Sequence, residues 1–234
     1  MMNHLKKYIG KYFKFVAQRF VFIVFIASNF GVMHAKAGSY DDFFAAIKTD
    51  DVTVVQQLLA RGFDANTPAP DGQRGLILAL REPALKAAAV LIASRQIDLN
   101  LLNNQGESPL MMAALKGHTE LASRMLKKGA DVNKTGWTPL HYAATSGQLA
   151  LISLLLENHA YIDAESPNGT TPLMMASMYG TVEAVKLLLD EGADPLIKNE
   201  KAMAALQFAE NAKRLDVAEL IVKAIRRKRP VGQW

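Results

Sequence analysis

Short runs of apolar residues at helical spacing, broken by glycines and polar turns, recur along most of the chain. Leu151, Leu154 and Leu155 make one row, and Val182, Val185, Leu188 and Leu189 another. Intervals of three and four residues place each row on a single helix face. The runs are related to one another. GESPLMMAALKGHTELASRMLKKGADVN from Gly106, GWTPLHYAATSGQLALISLLLENHAYID from Gly136 and GTTPLMMASMYGTVEAVKLLLDEGADPL from Gly169 align without a gap. Gly136 and Gly169 are 33 residues apart, whereas Gly106 and Gly136 are only 30 apart. Each copy reads as two helices, neither able to bury its apolar face alone. Copies are therefore expected to stack and share a core.

The punctuation of each copy has a mechanism. Ser108, Thr138 and Thr171 are placed to cap a first helix with their hydroxyls. Pro109, Pro139 and Pro172 follow at the first helical position, where a missing N–H costs nothing. Gly117, Gly147 and Gly180 are expected to end that helix in the left-handed region, and Gly129 and Gly192 close the second helix. The whole pattern, G-x-T-P-L-H-x-A-A, then a glycine, a leucine pair and G-A-D, resembles the ankyrin repeat. Thr138-Pro139-Leu140-His141 matches that family's signature tetrapeptide in full. The resemblance implies an all-α solenoid of stacked helix-turn-helix units with short β-turn fingers. It also implies a protein–protein interaction module, not an enzyme. In the family the signature histidine, here His141, hydrogen-bonds threonine and backbone groups between units.

Weaker copies flank the three. Leu206 lies 33 residues after Leu173 and opens a final unit with Ala205 in the proline position. Leu76 lies 34 residues before Leu110, with Pro83 near the turn between helices. Ahead of it, YDDFFAAIKTDDVTVVQQLLARGFDAN reads as two helices without the T-P-L opening, as an N-terminal cap would. The expected organisation is a repeat domain over 38–229 in six units: 40–71, 72–105, 106–135, 136–168, 169–201 and 202–228, with a tail at 230–234. One connection departs from the family's spacing. Asp131 to Gly136 is three residues short, which predicts a blunted finger between the third and fourth units and an otherwise intact stack.

In ankyrin arrays partners meet a concave face built from finger residues and the exposed end of each first helix. Carried over by position, the resemblance implies Gln73, Arg81 and Glu82, then Asn104, Gln105, Glu107 and Lys116. The set continues with Lys134, Trp137, Thr145 and Ser146, then Asn168, Thr170, Met178 and Tyr179. Met203, Asn211 and Lys213 complete the set. Trp137 and Tyr179 stand out as candidate anchors, because interface hot spots favour these residue types. A packing role for Trp137 against its neighbouring finger is the alternative.

Charge and composition adjust this picture at the ends. Residues 1–37 carry six cations and no acid, around an apolar run from Phe20 to Met33 and then Ala35-Lys36-Ala37. That order is the plan of a secretory signal, with cleavage expected after Ala37 and a mature start at Gly38. The mature protein would be periplasmic or secreted, on the pattern of bacterial-type exported ankyrin proteins, without stable membrane insertion. An uncleaved anchor in the inner membrane is the alternative. No cysteine is present, which excludes disulfides, cysteine zinc sites and a lipoprotein anchor. The overall charge is +5, yet discounting the first 37 residues and the five cations of 223–229 leaves residues 38–222 at −6. A nucleic-acid partner is not expected from that distribution.

The titratable and sulfur-bearing residues form no pattern of catalytic or metal-ligand spacing. His4 and His34 lie in the leader, and His118 and His159 sit at helix junctions as caps or surface residues. No H-E-x-x-H, P-loop, G-x-S-x-G or G-x-G-x-x-G motif occurs. The methionines Met111, Met112, Met174, Met175 and Met178 read as adaptable packing, not as a soft-metal site. No cofactor, metal or catalytic residue is expected, and a monomer that binds a protein partner is the reading. An inhibitor or immunity-type protein is a further alternative.

Overall fold

The computed structural model describes residues 38–228, so the leader and the tail from 229 lie outside the described residues. Helix α1 (38–48) pairs with α2 (Val52–Ala60). The pairs that follow are α3 (Gly75–Arg81) with α4 (Leu85–Ala93), and α5 (Pro109–Lys116) with α6 (Thr119–Lys127). Next come α7 (Pro139–Ser146) with α8 (Leu149–Glu157), and α9 (Pro172–Tyr179) with α10 (Val182–Asp190). The last pair is α11 (Ala205–Asn211) with α12 (Leu215–Lys228). Among the described residues there is no strand, only an isolated bridge between Pro68 and Arg74. The architecture is all-α, an ankyrin-type solenoid of helix pairs.

Odd-numbered helices pack in one layer and even-numbered helices in a second, each touching its counterpart in the next unit. The core is one continuous file between the layers. It runs from Phe43 and Ile47 through Leu76, Leu91, Leu110, Met125, Leu140, Leu151, Leu173 and Leu188 to Val217 and Ile221. Small residues let the layers approach: Ala113, Ala143, Ala176 and Ala209 are all fully buried. Capping follows the expected scheme in part. Ser108 and Thr171 accept from the backbone N–H of Met111 and Met174. In return the Met111 and Met174 sulfurs accept from the backbone N–H of Ser108 and Thr171. These two thioethers thus occupy the position that His141 holds in the fourth unit.

One correction concerns a turn glycine. Gly117 and Gly147 are left-handed, at φ of 81° and 68°, but Gly180 is extended at −75°. Its requirement is proximity: a Cβ there would stand 2.4 Å from the Ala144 carbonyl oxygen. Thr181 then caps α10 with its own hydroxyl, so no left-handed cap is needed. His118 holds the N-cap position of α6 as expected, without a side-chain cap bond. It is half-buried, and its Nε2 donates to the Leu80 carbonyl of the preceding unit at 2.9 Å. Arg214 does the same job for α9, donating to the Ala176 and Ser177 carbonyls.

Adjacent units are also stitched by a ladder that the helix pattern does not announce. Asn66, Asn100, Asn133 and Asp163 each accept, through the side chain, the backbone N–H of Asp98, Asp131, Tyr161 and Asp194 in the following unit. His159 lies beside this ladder at φ 66°, where Gly62, Gly129 and Gly192 stand in other units. A non-glycine residue there carries backbone strain. His159→Gly is expected to raise unfolding stability by about 0.5–1 kcal/mol. Chemical denaturation of the two proteins checks this, and a destabilised variant would contradict it.

The fingers show the effect of the short connection. Four are closed by the same pair of backbone hydrogen bonds, at Ala69–Gln73, Asn103–Glu107, Ser166–Thr170 and Asn199–Met203. Among the described residues no such pair closes 131–137. Fingers on either side are joined: Asn104 Nδ2 donates to the Asp71 carbonyl, and the Glu200 N–H donates to the Asn168 carbonyl. Across the short connection Gly136 instead lies against the Pro167 ring. The helical layers continue through it unbroken.

Candidate partner-binding face

Fingers and first helices share one side of the stack. The residue before each first-helix cap forms a row along it: Gln73, Glu107, Trp137, Thr170 and Met203. These five equivalent positions have different fates.

Glu107 is the hub of a polar cluster. Its carboxylate accepts from Arg81 at 3.1 Å, from Asn103 Nδ2 at 2.8 Å and from the Tyr142 hydroxyl at 3.4 Å. The cluster spans α3, the third finger and α7, bridging three units. Burial pushes the Tyr142 hydroxyl up to about 12, and the negative charge and hydrogen bond of Glu107 add to the effect. Tyr142 is thus a neutral donor over the ordinary pH range. Gln73 Oε1 is buried with no hydrogen-bond partner among the described residues.

Trp137 is half-buried, and its ring meets that of His141 edge-on with centroids 5.1 Å apart. Thr170 is a correction. At 3 % exposure its side chain is withheld from any partner, and its carbonyl accepts from His141 Nε2 at 2.9 Å. Met203 is half-buried, with Asn211 Nδ2 3.8 Å from its sulfur.

The helix ends supply the second row. Lys116 is exposed, whereas the Thr145 and Ser146 hydroxyls turn back to the His141 and Tyr142 carbonyls of their own helix. Those two therefore offer a partner little donor capacity. Met178 packs partly on the core while Tyr179 beside it is 60 % exposed. Lys134 is half-buried with its ammonium on the Thr135 carbonyl, and Asn168 is exposed at a finger tip. Glu82, Asn104, Gln105, Asn211 and Lys213 are exposed, and Arg81 is held by Glu107.

Position-by-position transfer missed Tyr142 and Met175. Both occupy the fourth position of their first helix, where Met112 is buried but these two are partly open. The signal was available: the fourth position faces the same side as the helix end three residues later. His141 lies beneath this face, fully buried. Its Nδ1 accepts from the Thr138 hydroxyl and backbone N–H, at 2.9 and 3.2 Å, and its Nε2 donates to Thr170. These partners define the neutral Nε2–H tautomer. Burial lowers its pKa to about 4, against the opposing pull of carbonyl acceptors. Among the described residues no group of three or more His, Asp or Glu is arranged to hold a metal ion.

Comparison with known proteins places this geometry in a family. A profile of ankyrin repeats in three copies matches residues 43–135, 76–166 and 160–229. The Homo sapiens transient receptor potential cation channel subfamily A member 1 is 31% identical over 166 residues, covering 65% of this chain and 15% of that protein. The Gallus gallus nuclear factor NF-kappa-B p105 subunit is 33% identical over 163 residues, covering 66% and 16%. The Mus musculus protein fem-1 homolog A-like is 38% identical over 104 residues, covering 43% and 16%. The chain thus spans less than a fifth of the length of each of these relatives. With the profile covering nearly all the described residues, and six helix pairs in the matching arrangement, the chain belongs to the ankyrin-repeat family.

Proposed function

We propose that this chain is a non-catalytic binding module that captures a protein partner on its finger face, the counterpart of the family's concave surface. The observation that carries the reading is Tyr179. It is a large aromatic held out at 60 % exposure on the end of α9, beside the half-buried Met178 and outside the buried core. Exposed Tyr is a poor choice for solubility and a good one for an anchor, since its ring brings contact area at low entropic cost. Arg81, Lys116 and the Glu107–Tyr142 pair give the neighbouring surface its polar complement. Asn168 and Met203 extend it toward the last unit. The mixed signs of charge on this face favour a protein partner over a nucleic acid, and the chain acts as a monomer in this reading.

Tyr179→Ala is expected to weaken capture of the partner at least tenfold, with less than about 0.5 kcal/mol change in stability, as for other surface substitutions. Affinity purification, partner titration and a thermal melt of both proteins check this. Loss of stability in step with binding would make Tyr179 a structural residue.

We further propose that the module acts after export, in the periplasm or outside the cell, on the basis of the n-region, apolar run and A-x-A site of residues 1–37. The apolar run also suits an anchored array displayed from the inner membrane. Intact mass of the purified protein distinguishes these: a start at Gly38 supports export and cleavage, and a retained leader supports the anchor.

A further inference from the structure

We propose that the finger face of units three to six recognises an acidic polypeptide segment with an apolar residue between its acids. This rests on the reading that a partner meets the finger face, and it names that partner's chemistry. Charges of both signs lie along the face, but they are not equally available. Glu107 is spent inside the stack. Arg81, Asn103 and Tyr142 all donate to its carboxylate, and its side chain is only 16 % exposed. Lys116 and Lys213, by contrast, are exposed and make no ion pair among the described residues.

Register places these two cations on either side of an apolar stretch. Lys116, Ser146 and Tyr179 occupy the same place in their units, each the last residue of its first helix. Lys213 stands one position further on, in the place of Gly117 and Gly147, and like them is left-handed, at φ 58°. Between the two lie the exposed Tyr179 and the half-buried Met178 and Met203. Glu210 is exposed on α11, but at the helix position where Leu80, Ala114, Ala144 and Ser177 are buried in other units, so it faces away from this row. At the fingers Glu165 and Glu200 are matched by Lys198 and Lys201, four exposed side chains whose charges cancel. Lys134 adds one more cation, its ammonium on a backbone carbonyl.

The free charge of this stretch is therefore positive, within an array that is −6 over residues 38–222. A local reversal of sign draws an acidic segment and repels a basic one. Tyr179 supplies the anchor, and the two methionines adapt to the shape of the apolar residue they meet. The span suits one segment of chain. Lys116 and Lys213 are three units apart, and packed helices stand about 8–10 Å apart, so the cations are separated by about 24–30 Å, or roughly seven to nine residues of extended chain.

The test selects ligands for the immobilised full chain from a displayed library of random twelve-residue peptides, then titrates labelled copies of the enriched peptides by fluorescence anisotropy. Peptides with acids on both sides of an aromatic or aliphatic residue are expected, with affinity that falls as salt is added. K116E/K213E is expected to weaken them about tenfold, and K116Q/K213Q by less, since reversal of an exposed charge costs more than its removal. Tyr179→Ala is expected to weaken them at least tenfold. K86E/K127E, which reverses two exposed lysines on α4 and α6, is expected to stay within about threefold of the parent. Thermal melts confirm that each variant keeps the parent's fold. Uncharged or basic peptides that are still lost with Tyr179→Ala overturn the acidic partner and leave the finger-face reading standing. Acidic peptides indifferent to either Tyr179→Ala or K116E/K213E overturn the proposal, and indifference to both overturns the finger-face reading as well. A library that yields no enriched sequence also overturns the proposal. Displacement of the peptides by a short RNA at equal charge concentration overturns it in favour of a nucleic-acid site.

Discussion

Lowering the pH from 7.5 to 5 is expected to remove about 2 kcal/mol of unfolding stability through His141 alone, rising to about 3 kcal/mol below pH 4. The cause is geometric. Both hydrogen bonds to Nδ1 are received by its lone pair, so a proton on that nitrogen destroys them and places a charge at 0 % exposure. The folded protein therefore holds the ring neutral, with a pKa of about 4 against an ordinary 6.5. Between those values the unfolded chain takes up a proton that the folded one refuses. Stability is complete above pH 6.5, falls as pH drops through the window and levels off beneath it. Urea unfolding at pH 7.5, 6 and 5 reads the effect, before most carboxylates titrate. A His141→Gln variant, already less stable at pH 7.5, is expected to lose this component of the pH dependence. A parent protein equally stable at pH 7.5 and 5 would contradict the argument.

Trp137→Ala is expected to cost about 2 kcal/mol, less than a fully buried tryptophan because half of the ring is open. The ring meets His141 edge-on directly after the connection that is three residues short. Removing it opens water access to the Thr138–His141 bonds. The expected signature is coupling: Trp137→Ala and His141→Gln together cost less than the sum of their separate effects. Strict additivity would place Trp137 outside the histidine's environment. Trp137→Phe keeps much of the cover and is expected to recover most of the loss.

These two outcomes show which parts of the molecule the sequence displays. Periodicity and the Thr-Pro pairs reveal the helices, because capping and apolar spacing are local effects written in neighbouring residues. The blunted finger was legible as well, since a missing length of chain cannot be hidden. What escaped depends on the next unit. Gly180 is read as a left-handed cap from its own copy, yet its requirement is set by the Ala144 carbonyl one unit earlier. The acceptor for His118, Leu80, lies 38 residues away. The Asn66, Asn100, Asn133 and Asp163 ladder likewise exists only when units are superposed in space.

The binding face was legible as a set of positions and illegible as a set of contacts. Equivalent places in the row hold Glu107, tied into a three-unit cluster, and Thr170, buried at 3 % exposure. Position in a repeat says which side a residue faces. Whether it is free depends on side-chain size and on what the adjacent finger brings. Tyr142 illustrates the point: nothing local marks it, and its role follows from Glu107 lying within reach 35 residues earlier in the chain.

The short connection leaves the array unevenly sewn. On the helix side, Asn100 and Asn133 fasten the second unit to the third and the third to the fourth. On the finger side, neighbours are hydrogen-bonded at either end and only touching in the middle. On that side the third and fourth units are instead riveted by a side chain, the Tyr142 hydroxyl on Glu107. A rivet is removed by a single substitution where a hem of backbone is not.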